Sequence, residues 1–398
     1  MIYDFPHIER IEDVLPAIKD RPEFIVAERA GHTILNYNVN FEDTFPPIAV
    51  AGGSAKMREE RSLHNALRRE CRGIIFDEKG VIIRRPFHKF FNIGEREETL
   101  ARNINLSNSH VILDKLDGSM IVPFFVEGRM IWGTKMGDTD VAKPVQSFAM
   151  ANTNYLTFAN SMIFSGWSPI FEWCSRKQKI VIDHPEDQLI LTAVRNIRSG
   201  HYMPYDTMCN EAAECDIPVV KTFSSQADIN SFIEHVRGLE NVEGYVIRFP
   251  GGMYKMKCDW YVTIHKAKEA ILQDRNIVEL ILENKLDDII SHLDEKEANA
   301  IRDFSSEIGV HIAVQSINLF DLADQFVNGL KIDKKTFALE YADSISPLLR
   351  PLIFSIWDNV TSQNAYDLIV KTVKNHLTKN VKYDIIRDNW FEGIKYNA

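Results

Sequence analysis

The chain changes character near Val262, and that change limits its possible folds more than any other feature. Sixteen of its nineteen glycines come before that point. There, short apolar runs alternate with turn signals. Phe24–Ala27 and Thr33–Tyr37 flank Ala30-Gly31-His32, Gly73–Phe76 and Val81–Ile83 flank Asp77–Gly80, and Met120–Val126 and Arg129–Thr134 flank Glu127-Gly128. Each reads as a hairpin, because Gly and Asp supply the positive φ angles of tight turns. Further strands are expected at 169–173, 179–182, 189–194, 241–249 and 253–258, with helices at Ile8–Ile18, Lys143–Asn160 and Ser225–Arg237. Beyond Val262 the apolar spacing becomes i, i+3, i+4, i+7. It is seen in Leu286, Ile289, Ile290 and Leu293, in Leu319, Leu322, Ala323 and Phe326, and in Tyr366, Ile369, Val370 and Val373. That is the period of amphipathic helices. The expected class is α+β, with an antiparallel-sheet domain over 1–261 and an all-helical domain over 262–398.

At 398 residues, 45% hydrophobic and 26% charged, the sequence suits a globular protein of two domains. It holds no apolar run of about eighteen residues, so no transmembrane helix is expected. The start, Met1–His7, lacks a basic region followed by an apolar core, so no secretory signal is expected either. Five scattered cysteines without a C-x-x-C pair suggest reduced thiols, a cytoplasmic protein and no zinc site. The net charge of −10 opposes general affinity for nucleic acid. It still permits a nucleic-acid enzyme whose cations gather in one groove.

The chemistry centres on Asp114-Lys115-Leu116-Asp117-Gly118-Ser119, between two apolar runs. Taken alone, Lys-x-Asp-Gly reads as a hairpin turn. A lysine there could also attack the α-phosphate of a nucleotide, displace pyrophosphate and hold AMP as a phosphoramidate. Its pKa of about 10.4 would then have to be lowered by neighbouring cations. Groups suited to such a site recur along the chain. Arg84 to Asn92 mixes cations with aromatics, as a phosphate and base platform or as a guarded sheet edge. Glu172 sits in an apolar strand, where a structural salt bridge competes with a metal or ribose contact. Lys255 and Lys257 share one strand face, where their mutual repulsion would be relieved by an anion.

These stretches resemble, in order, the motifs of the phage-type RNA ligase 1 family, within the covalent nucleotidyltransferases. The match runs through Cys71-Arg72-Gly73, Lys89-Phe90-Phe91-Asn92, Lys115-Leu116-Asp117-Gly118-Ser119, Phe171-Glu172, Glu243-Gly244-Tyr245-Val246, and Lys255-Met256-Lys257 followed by Asp259-Trp260-Tyr261-Val262. The resemblance implies an ATP-grasp-like nucleotidyltransferase domain that seals broken RNA, tRNA above all. It implies ATP, with AMP carried on Lys115, and Mg²⁺, for which Mn²⁺ substitutes. Lys115, Glu172, Glu243, Lys255 and Lys257 would be catalytic and also bind the nucleotide, joined by Tyr37, Arg72, Lys89 and Phe91. Gly118 would leave room for the nucleotide, and Tyr261 would meet RNA. Glu243 and Asp287 would face the metal. The protein would be a monomer in the cytoplasm of an infected bacterial host, with the helical domain choosing the RNA. DNA ligases and capping enzymes share the lysine chemistry but place a small β-barrel after it. A non-catalytic nucleotide-dependent RNA sensor would be expected to lack one of the five core residues.

Overall fold

The computed structural model describes residues 4–38, 43–226 and 228–396. Met1–Tyr3, within the stretch read for a secretory signal, and Ala227, inside the expected Ser225–Arg237 helix, lie outside the described residues. The chain divides into two compact units, Met1–Val262 and Thr263–Ala398.

The first unit is built on three sheets. β1 (Phe24–Arg29), β2 (His32–Tyr37), β3 (Ile74–Asp77) and β4 (Ile82–Arg84) form the first. The other strands are β5 (Phe91–Asn92), β6 (Val111–Asp114), β7 (Ser119–Val126), β8 (Arg129–Gly133), β9 (Trp167–Cys174), β10 (Gln188–Asn196), β11 (Thr222–Phe223), β12 (Gly244–Phe249) and β13 (Gly252–Lys257). The second sheet runs β10-β9-β7-β8 and the third β11-β6-β12-β13-β5. Pairing is antiparallel except between β13 and β5. The three expected hairpins form as β1–β2, β3–β4 and β7–β8.

The turn reading of Lys115–Gly118 fails, because β6 and β7 do not pair. β6 joins β12 in the third sheet and β7 joins β9 in the second. Lys115 donates its backbone N–H to the Gly244 carbonyl at 2.9 Å, extending the β6–β12 ladder past Asp114. The chain then crosses between sheets. Asp117, 2% exposed, anchors that crossing. Its carboxylate accepts the N–H groups of Val181 and Ile182 at 2.8 and 2.7 Å and the Tyr261 hydroxyl at 2.6 Å. The stretch 179–182, expected as a strand, is therefore a loop whose donors go to a buried carboxylate.

One helix forms that the apolar spacing does not predict, and one expected helix breaks. The basic segment after Ser54 is a helix, Ala55–Glu70, capped where Ser54 Oγ accepts the Met57 N–H. Its apolar stripe is too thin to announce it, since Met57 and Leu63 are exposed while Ala66 and Leu67 are buried. The helix expected over Lys143–Asn160 breaks into Ala142–Ala151 and Thr153–Phe164. At the break Asn152 leaves helical geometry and caps the first piece by donating its side-chain amide to the Phe148 carbonyl.

The cation-rich stretch from Arg84 is not a phosphate platform at its start. Arg84 and Arg85 are both fully buried. Arg84 gives Nη2 to the Thr134 carbonyl and lies over the Phe124 ring. Arg85 Nε donates to Glu70 Oε2 at 3.0 Å, and Arg195 reaches the same oxygen at 2.8 Å. Arg85 and Arg195 spend their other N–H groups on the carbonyls of Pro6, Arg198, Pro86 and Gly200. Burial opposes the Glu70 charge, but the two guanidiniums outweigh it and hold its pKa far below the carboxylate range.

The second unit is all helical among its described residues. Glu295–Asp324 is its spine, opened by a reciprocal cap in which Asp294 accepts the Glu297 N–H and Glu297 accepts the Asp294 N–H. Ile301, Phe304, Ile308, Ile312 and Leu319 of that helix pack with Ile353, Ile369, Val373 and Trp390. Of the expected stripes, Tyr366 turns outward at 46% exposure. No β-barrel follows the last lysine motif among the described residues, unlike the DNA ligase and capping alternative.

Glu70→Gln removes the one carboxylate between two fully buried guanidiniums. Breaking a buried pair in this way costs about 3–5 kcal/mol. The variant is expected to unfold at a clearly lower denaturant midpoint, read by tryptophan fluorescence. An unchanged midpoint would mean the arginines are satisfied by their carbonyl contacts alone.

Candidate active site

A cavity of about 550 Å³ opens in the first unit. One wall is a face of the third sheet, with Leu113, Val246, Arg248 and Met253; the other carries Met120, Glu172 and Thr192 of the second sheet. Tyr37, Arg72, Phe90, Lys115 and Lys135 complete the lining. Strand register explains the first wall. Val246 lies opposite Leu113 and Lys255, Gly244 opposite Lys257, and Arg248 opposite Met253, so these side chains share one face.

The predicted lysines and glutamates meet at one end. Glu243 Oε1 contacts Lys115 Nζ at 2.7 Å and Lys257 Nζ at 2.9 Å. Glu243 is 3% exposed, so both ion pairs are shielded. Gly244, at φ +143°, follows it at a point where a side chain would run into the Met256 carbonyl. The backbone pairing that seats Glu243 against Lys257 therefore requires glycine there.

Lys255, two residues before Lys257 on the same strand, sits in more buried surroundings. Burial, aided by the charges of Lys89, Lys115 and Arg72 and countered by Glu95, pushes its pKa down to about 7. Its ammonium lies 5.7 Å from the Phe90 ring centre. Lys255 lacks the Glu243 contact that Lys115 and Lys257 make. Across the cavity, burial pushes Glu172 up to about 7; Glu243 and Asp117 add to the rise, and Lys115 and Arg72 oppose it. Near neutrality a lysine beside the cavity and a glutamate lining it are thus each poised to titrate.

Tyr37 carries cations on its ring, Lys89 at 5.4 Å and Lys135 at 5.2 Å. Burial raises its pKa, but Lys89, Arg72 and Lys135 together outweigh that and leave the phenol below its usual value. Arg72 reaches the Met120 sulfur at 3.6 Å. Lys89 sits among the rings of Tyr37, Phe45 and Phe91.

Two sequence expectations, for Phe91 and Tyr261, are corrected. Phe91 is 1% exposed and packs with Phe45 and the Arg69, Lys89 and Arg96 side chains, so it is core; Phe90 is the aromatic that lines the cavity. Tyr261 is 2% exposed and bound to Asp117, which withdraws it from RNA. Gly118 lines the cavity and also has a packing role, because a Cβ there would strike the Trp173 carbonyl and crowd Glu172 Cγ. It allows β9 to approach. Asp287 is exposed on the short helix Leu286–Ile290 of the second unit.

Sequence reasoning gave no role to Lys135 and Arg248. Lys135 closes a hairpin, where a lysine is ordinary, and only the fold carries it over Tyr37. With Arg72, Lys89, Lys115, Lys255 and Lys257 they bring seven cations onto or beside one cavity in a chain of net charge −10.

Comparison with known proteins agrees with the motif order. Residues 70–261 match a family model described as RNA ligase. A protein of Thermovibrio ammonificans named "Putative RNA ligase" is 32% identical over 253 residues, covering 60% of this chain and 64% of that one. RNA ligase 1 of Bacteriophage TS2126 is 25% identical over 245 residues, covering 58% and 59%. The matches thus span about three fifths of the length of these relatives. A solved structure of an archaeal ATP-dependent RNA ligase aligns over 74% of both chains at 14% identity, with a TM-score of 0.45. Over residues 70–261, this chain is thus similar to an RNA ligase family and to the RNA ligases named above.

Proposed function

We propose that the protein is an ATP-dependent RNA ligase that joins a 5′-phosphate to a 3′-hydroxyl. The observation that carries this is the meeting of Lys115, Glu172, Glu243, Lys255 and Lys257, from four separate stretches, around one cation-lined cavity. In the first step Lys115 Nζ attacks the α-phosphorus of ATP. An N–P bond forms, the bond to pyrophosphate breaks, and the amine gives up a proton. Glu243, in contact with that ammonium, is placed to influence the loss. In the second step an oxygen of the RNA 5′-phosphate takes the AMP, and the N–P bond breaks. In the third, the 3′-hydroxyl attacks the activated 5′-phosphorus and AMP leaves.

Lys255 and Lys257 would neutralise charge that grows on the phosphates. Arg72 and Lys89 are suited to phosphate contacts, and Phe90 and Tyr37 to the nucleoside. Glu172 and Glu243 suit a hydrated Mg²⁺, or Mn²⁺ in its place, which needs only one or two carboxylates beside substrate phosphates. When bound, the ion would supply further charge neutralisation at phosphate oxygens.

The helical second unit would dock a folded RNA, with a tRNA broken in its anticodon loop as the natural substrate, as the family resemblance suggests. Helices with solvated charged faces suit recognition by shape and phosphate contact. A monomer working in the cytoplasm, of an infected bacterial host if phage-encoded, fits five free thiols. No helix of the described residues is long and apolar enough to cross a membrane.

Incubation with α-labelled ATP and Mg²⁺ should yield a covalent AMP–protein adduct. Lys115→Ala should abolish it, yet still seal RNA that already carries a 5′-adenylate. An undiminished adduct in the variant would remove Lys115 from the role of nucleophile.

Lys255 yields a second test. Its folded pKa of about 7 lies below the usual 10.5, so the folded state binds fewer protons than the unfolded state between those values. Stability owed to this residue therefore rises with pH across that window. Lys255→Met should melt higher than wild type at pH 7, by about 2–4 °C for each kcal/mol relieved, and the gap should close toward pH 10.5. The same variant should form the adduct about 10²–10³ slower. A lower melting point at pH 7 would show that the ammonium is well satisfied without ligand.

Substrate choice is read from kcat/KM on two RNAs. The full chain should seal a broken tRNA more efficiently than a short single strand with the same ends. Equal values would remove tRNA as the preferred substrate.

A further inference from the structure

Arg248 is a buried cation with no evident structural task. It is 6% exposed, and among the described residues no carboxylate pairs with it. The titratable groups near it are the Tyr202 and Tyr205 hydroxyls and the Cys209 thiol rather than carboxylates. One guanidinium nitrogen, Nη1, is buried without a hydrogen-bond partner. Leaving a charged donor buried and unsatisfied is costly, and its strand neighbours Val111 and Met253 are apolar, so packing alone would favour an apolar side chain here. Yet Arg248 lines the cavity that contains Lys115.

Position along β12 limits what it can meet. Gly244 stands at the Lys115 end, where its carbonyl accepts the Lys115 N–H. Arg248 is four residues further on, about 13 Å at the usual strand rise. Val246, on the same face, lies between them and offers an apolar surface. If the reacting phosphate is at Lys115, the end marked by Arg248 lies toward the base. A guanidinium only donates hydrogen bonds. It would therefore meet an acceptor on the base edge and be repelled by an exocyclic amine.

We infer that Arg248 is a specificity-determining residue, donating a hydrogen bond to a ring nitrogen of the purine of the bound nucleotide. This rests on the ATP-dependent reading given above. It adds the identity of the side chain that reads the base. Arg248 lines the cavity, so its guanidinium is already in place there before the base arrives, and no carboxylate competes for it.

The test measures the affinity of the full chain, by calorimetry, for ATP and for its 1-deaza, 3-deaza and 7-deaza analogues, each lacking one ring acceptor. Hydrogen bonds to charged groups contribute about 1.5–3 kcal/mol, so wild type should bind one analogue about 10- to 150-fold more weakly than ATP. Arg248→Met should bind ATP more weakly by a similar factor and no longer distinguish that analogue. Arg248→Lys should recover part of the difference, and affinity for pyrophosphate should be unchanged. Equal affinity of wild type for ATP and all three analogues overturns the inference, with no need for a variant to fold. A loss in Arg248→Met that is the same for ATP, every analogue and pyrophosphate would assign Arg248 to the phosphates and also overturn it. Adduct formation with labelled ATP is scored separately. Its absence in wild type would defeat the ligase reading, whereas the pattern across the analogues decides the role of Arg248.

Discussion

The carboxylate of Asp117 holds the architecture of the cavity together. It lies where the chain leaves the third sheet at Lys115 and enters the second at Ser119, so its position fixes the spacing of both walls. Three donors converge on it, two from the 181–182 loop and one from Tyr261, 144 residues later in sequence. Its own backbone carbonyl also meets His184 Nε2 at 2.7 Å. A charged group at 2% exposure is tolerable only with such full satisfaction. Lys115, two residues earlier, thereby leaves its strand in one direction, toward Glu243. Gly118, one residue later, lets β9 close behind it.

Electrostatics divides the cations of the first unit into two populations. Arg85 and Arg195 are buried for good, matched to Glu70 and to a ring of carbonyls, and they belong to the scaffold. Those around the cavity are incompletely matched. Glu243 serves two lysines with one oxygen, Lys255 is pushed toward neutrality by burial and its neighbours, and Arg248 keeps a nitrogen without a partner. Such a cluster destabilises the free protein and favours a polyanionic guest. The same sign of charge thus stabilises one region and prepares another for binding, according to whether acceptors were supplied by the fold.

The readings that failed did so for related reasons. Arg84, Arg85, Lys89 and Phe91 look alike in sequence, as one cationic and aromatic stretch. Burial separates them, because the acceptors for Arg85 come from positions near 6, 70 and 198. Phe90, just before β5, and Phe91, its first residue, are adjacent and equally apolar, yet one lines the cavity and the other lies in the core. Tyr261 sits in a motif, but its hydroxyl is spent on Asp117.

By itself the sequence determined the division into sheet-rich and helical parts, the three hairpins, and the set of lysines and glutamates around Lys115. These follow from periodicity, turn chemistry and motif order, which act over a few residues or are carried by residue identity. Only the tertiary structure decided that β6 and β7 belong to different sheets, that Asp117 ties them to Tyr261, and that burial pushes Lys255 toward neutrality. It alone also brought Lys135 and Arg248 to the cavity. Burial and charge pairing depend on which distant segments supply the acceptors, and no local spacing encodes that.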